Sequence, residues 1–171
     1  MKALPLKKEA HGILKELVET EFYKQHLYMY LSMCASNAGF YDARKWFYEK
    51  SNDQSYSVRN LLEILEKRGI KEPLPAVEKI EGDYPTLKSC FQYAYDCEVE
   101  SIQELEVAAR KLFAIDLMVF QDAMNFLANN KWAIDRLHCL ISTFSAAENK
   151  EDELELESKE FGCHDSIPMP S

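Results

Sequence analysis

Apolar residues recur at helical spacing along most of this chain, and the positions that break the spacing stand out. Leu14, Val18, Tyr28 and Leu31 form one stripe, with Glu21 and Gln25 set into it. Leu87, Phe91, Ala94, Ile102, Leu105 and Ala109 form another, interrupted by Glu98. Between them Phe47, Leu61 and Ile64 share a seam with Lys50, Gln54, Ser57 and Arg68. A last segment sets Phe120, Leu127, Ile134 and Ile141 on one line with Leu137 and Phe144 beside it. There Asn130 falls on the line of Ala123, Leu137 and Phe144, with Lys131 next to it.

The pattern predicts four long helices and a short acidic one. The first runs from about Lys8 to Asn37, with Gly39 suited to a C-terminal cap. The second covers about Asp42 to Arg68 and stops at Gly69. A Pro-punctuated connection from Ile70 to Pro85 follows, long enough to span a bundle. Thr86 is a good N-cap for a third helix reaching about Ala114, and Asp116 caps a fourth reaching about Ala147. The fold class expected is therefore all-α: an antiparallel four-helix bundle with one long crossover and a short acidic C-terminal helix. At 171 residues the chain reads as one domain, the bundle occupying about 8–147 and an acidic segment 148–171.

The polar interruptions lie at the same depth in all four helices. A buried carboxylate needs a cation, a hydrogen-bond donor or a proton, so four coincident polar positions mark a layer with a purpose. A metal site and a buried ion pair are the two usual purposes, and Lys131 is the candidate counter-ion for Glu98 or Glu21. The aromatics Tyr23, Tyr30, Phe40, Tyr41 and Trp46 offer material for subunit contacts.

Charge changes the picture only at one end. Of the net −9, residues 148–171 contribute eight acids against Lys150 and Lys159, leaving the rest near balance. No basic patch favours nucleic acid, and no apolar run of about 18 residues favours a membrane span. The N-terminal residues lack the apolar stretch of a secretory signal. Five cysteines (Cys34, Cys90, Cys97, Cys139, Cys163) without a C-x-x-C pair read as reduced thiols of a cytoplasmic protein. His11, His26, His138 and His164 fall off the polar layer and read as surface residues.

The strings Glu21-Phe22-Tyr23-x-x-x-Leu27-Tyr28-x-x-x-Ser32 and Phe91-Gln92-x-x-Tyr95-x-x-Glu98, with the long crossover, resemble a bacterial non-haem ferritin subunit. In that family each of two helices gives a Glu and the others add further ligands to a two-iron centre. The resemblance places Glu21 and Glu98 at the first- and third-helix ligands and Tyr28 at the tyrosine beside them. The second-helix Glu-x-x-His falls on Gln54-Ser55-Tyr56-Ser57, while the carboxylate preceding it survives as Asp53. In the fourth helix one register puts the family's Gln and Glu on Asn130 and Ala133, the other on Lys131 and Ile134. The first is preferred because it keeps Ile134, Leu137, Ile141 and Phe144 inward.

Neither register supplies a fourth-helix carboxylate. Two ferrous ions need a dense set of anionic oxygens with one bridging carboxylate. Glu21 and Glu98 with Gln54, Asn130 and the nearby Asp53 amount to a partial iron site at best. The resemblance thus implies a subtype with a ligand-depleted ferroxidase centre: an iron-storage or structural subunit with little oxidation activity, and no haem. It implies a hollow shell of 24 copies, or one mixed with a catalytically active ferritin subunit. The alternatives are an active ferroxidase with an atypical ligand set and a ferritin-like bundle without iron storage. The family's last helix is fairly apolar where it packs around a four-fold axis, whereas here Leu154, Leu156 and Phe161 give only a thin apolar edge. Such a segment folds outward, lines an acidic pore or is disordered.

Overall fold

The computed structural model describes residues 4–162 and is all-helical there. Its elements are α1 (Lys8–Asn37), α2 (Tyr41–Lys67), α3 (Leu87–Ile115), α4 (Leu117–Phe144) and α5 (Lys150–Phe161). Helices α1 and α2 form one antiparallel hairpin, α3 and α4 the other, and α1 also packs on α3. Gly39 and Gly69 end the first two helices with φ of +88° and +75°, a left-handed backbone that side chains with a Cβ resist. Thr86 Oγ1 accepts the Ser89 N–H while Ser89 Oγ returns to the Thr86 N–H, a complete capping box for α3. Asp116 does the same work for α4, accepting from Met118 and Val119.

The crossover returns the chain along the full length of the bundle. It is fastened to α1 at both ends, by a His11–Glu72 contact near its start and by Tyr30 Oη donating to the Gly82 carbonyl at 2.6 Å near its finish. His26 and His138 are exposed, and His11 is partly so. His164 and Cys163 lie outside the described residues, and the other four cysteines carry free thiols.

The core divides into two apolar halves. One contains Leu27, Tyr28, Leu31, Phe47, Phe91, Leu137 and Phe144, at the end where α1 and α4 finish and α2 and α3 begin. The other contains Leu14, Val18, Leu61, Leu65, Leu105, Leu112, Val119 and Phe126. Between them, in every long helix, the chain turns polar: Glu21 and Lys24 in α1, Ser51 and Gln54 in α2, Glu98 and Ser101 in α3, Asn130 in α4.

Two sequence expectations need correction here. In α4 the buried residues are Val119, Ala123, Phe126, Asn130, Leu137, Leu140 and Phe144, while Phe120, Ile134 and Ile141 lie at the margin; the side chain of Leu127 lies outside those described. Phe40 is fully buried and Trp46 half-buried against the core, so neither is free for subunit contacts. Of the expected set Tyr41 is exposed, and Tyr48, Tyr56, Phe113 and Trp132 are exposed with it.

The acidic α5 folds back on the bundle end. Phe161 lies among Trp46, Phe91 and Phe144, with ring centroids 5.7, 6.0 and 6.5 Å away. Two of its acids, Glu153 and Glu157, face inward, whereas Leu154 is among the exposed apolar residues. The reason is electrostatic: their carboxylates meet the N-terminal, positive ends of α3 and α2.

Candidate functional site

The polar layer is built around an ammonium group. Lys24 Nζ lies 3.1 Å from Glu21 Oε1, 3.2 Å from Glu98 Oε2 and 3.2 Å from Asn130 Oδ1. Three donors thus meet three oxygens from α1, α3 and α4, and Lys24 is 1% exposed. The second oxygen of Glu98 accepts from Tyr28 Oη at 2.7 Å. Both Glu98 oxygens are therefore partnered inside a fully buried carboxylate, the condition under which such a charge survives without water.

Helix geometry explains how α1 supplies three of these groups. Glu21, Lys24 and Tyr28 are spaced by three and four, so they project from one face, one turn after another. Lys24 takes the inward position that the sequence pattern gives to Gln25, which is only half-buried. The counter-ion is thus Lys24 and not Lys131, which is exposed on α4 next to the buried Asn130. One residue along a helix turns the side chain by roughly 100°, and that rotation puts Lys131 in solvent.

Two carboxylates share one ammonium, so the layer carries an unbalanced negative charge when both are ionised. Glu98 holds Lys24 and Tyr28. Glu21 holds Lys24 alone, and its Oε2 is buried without a partner. Burial pushes the Glu21 carboxyl up; Lys24 opposes this and the nearby Glu98 adds to it. For Lys24, burial would lower the pKa, but the attraction of Glu21 and Glu98 outweighs it and the ammonium is held more firmly than usual. Burial and Glu98 raise the Tyr28 phenol well above its ordinary value, so Tyr28 remains a donor.

The other residues of the sequence-derived site stand further off. Gln54 is half-buried on α2, and its Oε1, like Asn130 Nδ2, is buried without a partner. Ser57 is half-buried. Asp53 is exposed and pairs with Lys50 at 3.6 Å. Lys50 itself sits over the Trp132 ring at 4.7 Å and the Trp46 ring at 5.5 Å, tying α2 to α4 below the layer. Among the described residues no group of three or more His, Cys, Asp or Glu side chains is placed to hold a metal ion together.

An acidic groove of about 530 Å³ runs between α1, α3 and the crossover, lined by Glu19, Glu78, Asp96, Glu100 and Glu104, and reaches Lys24. It would draw cations toward the layer. Inside the layer one oxygen of each acid, Glu21 Oε1 and Glu98 Oε2, already faces a covalently attached cation, which a metal ion entering there would meet. Like charges at these distances in a low-dielectric interior repel strongly. What the arrangement does well is hold three helices together through one ion cluster.

Comparison with known proteins places this geometry in context. The family model described as a ferritin-like domain matches residues 12–141. A probable bacterial non-heme ferritin-like protein of Haemophilus influenzae is 23% identical over 138 residues, spanning 81% of this chain and 80% of that protein.

Proposed function

From the premise that this chain belongs to the ferritin-like domain family, we propose that it is an iron-storage shell subunit lacking a working two-iron oxidation centre. The observation that carries the reading is the Lys24 ammonium, within 3.2 Å of both Glu21 and Glu98 at the middle of the bundle. In this reading iron is cargo, and the subunit contributes wall and mineral-facing surface, not fast oxidation. Glu21, Glu98 and Asn130 hold Lys24. Gln54 and Asp53 are the remaining oxygen donors of α2 that could meet an incoming ion, weakly and one at a time.

The assembly belongs to the same proposal: residues 1–171 as one domain, a cytoplasmic shell of 24 copies or a shell shared with an oxidation-competent ferritin subunit, and no haem. The exposed Tyr41, Tyr48, Tyr56 and Trp132 supply apolar contact area for such packing.

Two measurements test it. Light scattering at neutral pH should give a particle of roughly the mass of a closed shell; a monomer or dimer at micromolar concentration would remove the storage role. Stopped-flow mixing of Fe²⁺ with the pure protein under O₂ should show slow oxidation and no transient absorption band. Rapid oxidation that disappears on Glu98→Ala would establish the opposite reading, a ferroxidase using an atypical ligand set.

A further inference from the structure

The attachment of α5 is unlike that of the other helices. A short stretch, 145–149, joins it to α4. Among the described residues, Leu156 and Phe161 are its apolar side chains packed on the core. Polar contacts add to them, and the two inward acids do something specific. Glu157 Oε1 accepts the Ala43 N–H at 2.9 Å, in the first turn of α2. The α2 cap residue is Phe40, which has no side-chain acceptor to offer that amide. Glu153 Oε1 accepts the Lys88 N–H at 3.4 Å, an amide of α3 that Thr86 leaves free while it serves Ser89. Each acid satisfies an otherwise orphaned helix N–H and sits at the positive end of a helix other than its own. With 6% and 5% exposure, both are withdrawn from water to do so.

We propose that α5 is a strap that closes the aromatic end of the bundle through Glu153 and Glu157, and that it opens as a unit while α1–α4 stay folded. Opening uncovers the faces of Trp46, Phe91 and Phe144 that Phe161 covers, and leaves the Ala43 and Lys88 amides to water. The closed strap responds to pH. Burial raises both carboxyls above 4.5; Asp42 of α2 adds to this at Glu157, and Lys150 of α5 opposes it at Glu153. Arg44 of α2, Lys88 and Cys90 of α3, Asp83 of the crossover and Glu148 also surround Glu153, and Arg136 of α4 meets Glu160 at 3.5 Å. A group whose pKa is higher closed than open binds its proton better closed. Closure is therefore fullest below the ordinary carboxylate pKa and weakens as pH rises through the raised values.

Amide hydrogen exchange on the full chain between pH 5 and 8, corrected for intrinsic rates, tests this. In the native protein, exchange at 150–161 and at Ala43 and Lys88 should rise with pH, with the central amides of α1–α4 unchanged. Glu153→Ala with Glu157→Ala should speed the same amides on the order of tenfold or more, the scale of two lost caps. Glu153→Gln with Glu157→Gln keeps the carbonyl acceptors, and should leave α5 closed with no pH response. The proposal is overturned if the alanine pair leaves α5 protected, if protection falls together in α1–α4, or if the glutamine pair opens like the alanine pair. Should the alanine pair fail to fold, a native strap whose exchange ignores pH would overturn it equally.

Discussion

At the residue scale the chain turns on Lys24. Its amine is the only cation touching Glu21 and Glu98 among the described residues. Lys24→Met would leave two buried carboxylates facing each other, and should cost about 3–5 kcal/mol of stability, read from urea unfolding. Lys131→Met, by contrast, removes an exposed charge and should change the midpoint little. Under the proposed function the same residue governs any attempt to install an oxidation centre. Gln54→Glu, Ser57→His and Ala133→Glu restore anionic and imidazole ligands, yet with Lys24 in place iron oxidation should stay slow. Adding Lys24→Ala should raise the stopped-flow rate substantially; equal rates with and without Lys24 would show that the amine is no obstacle.

At the scale of elements, helix ends are fixed by local chemistry. Asp116 caps α4 through Met118 and Val119 and pairs at 3.0 Å with Arg68, the C-cap residue of α2, so one side chain ties both hairpins. Burial would raise its carboxyl, but the Val119 N–H and Arg68 outweigh that and hold it below the usual 3.8. A lowered folded value means the contribution is present above the ordinary pKa and is lost as pH falls through the lowered one. Asp116→Asn keeps a capping oxygen but loses the charge opposite Arg68, and should therefore cost about 1 kcal/mol at neutral pH. The difference from the parent should vanish in strongly acidic solution, as thermal unfolding at several pH values would show.

These boundaries were legible in the sequence because Gly39, Gly69, Thr86 and Asp116 act on their immediate neighbours. The polar layer was legible too, since Glu21, Glu98 and Asn130 each displace a hydrophobe from a stripe. Its cation was not: Lys24 and Gln25 both fit the spacing, and only packing against α3 and α4 chooses between them. The role of Glu153 and Glu157 was equally hidden. A run of acids reads as a solvated face, and only the tertiary fold brings the N-termini of α2 and α3 within hydrogen-bond reach of it.

At the scale of the whole molecule, two dry half-cores are joined through one charged plane, and that plane is filled by a group belonging to the chain. The cation there is tethered, so it has no dissociation constant and no apo form. Chelators cannot strip it and scarcity of metal cannot empty it, so the ion cluster at mid-bundle keeps its own cation in either condition. Denaturation midpoints in EDTA and in millimolar divalent metal should accordingly coincide for this protein, since a ligand stabilises a fold only through a site that it can enter and leave. Lys24→Ala trades that constancy for dependence. Its midpoint should climb with added metal, and the climb would measure how good a cation site Glu21, Glu98 and Asn130 make once their resident is gone.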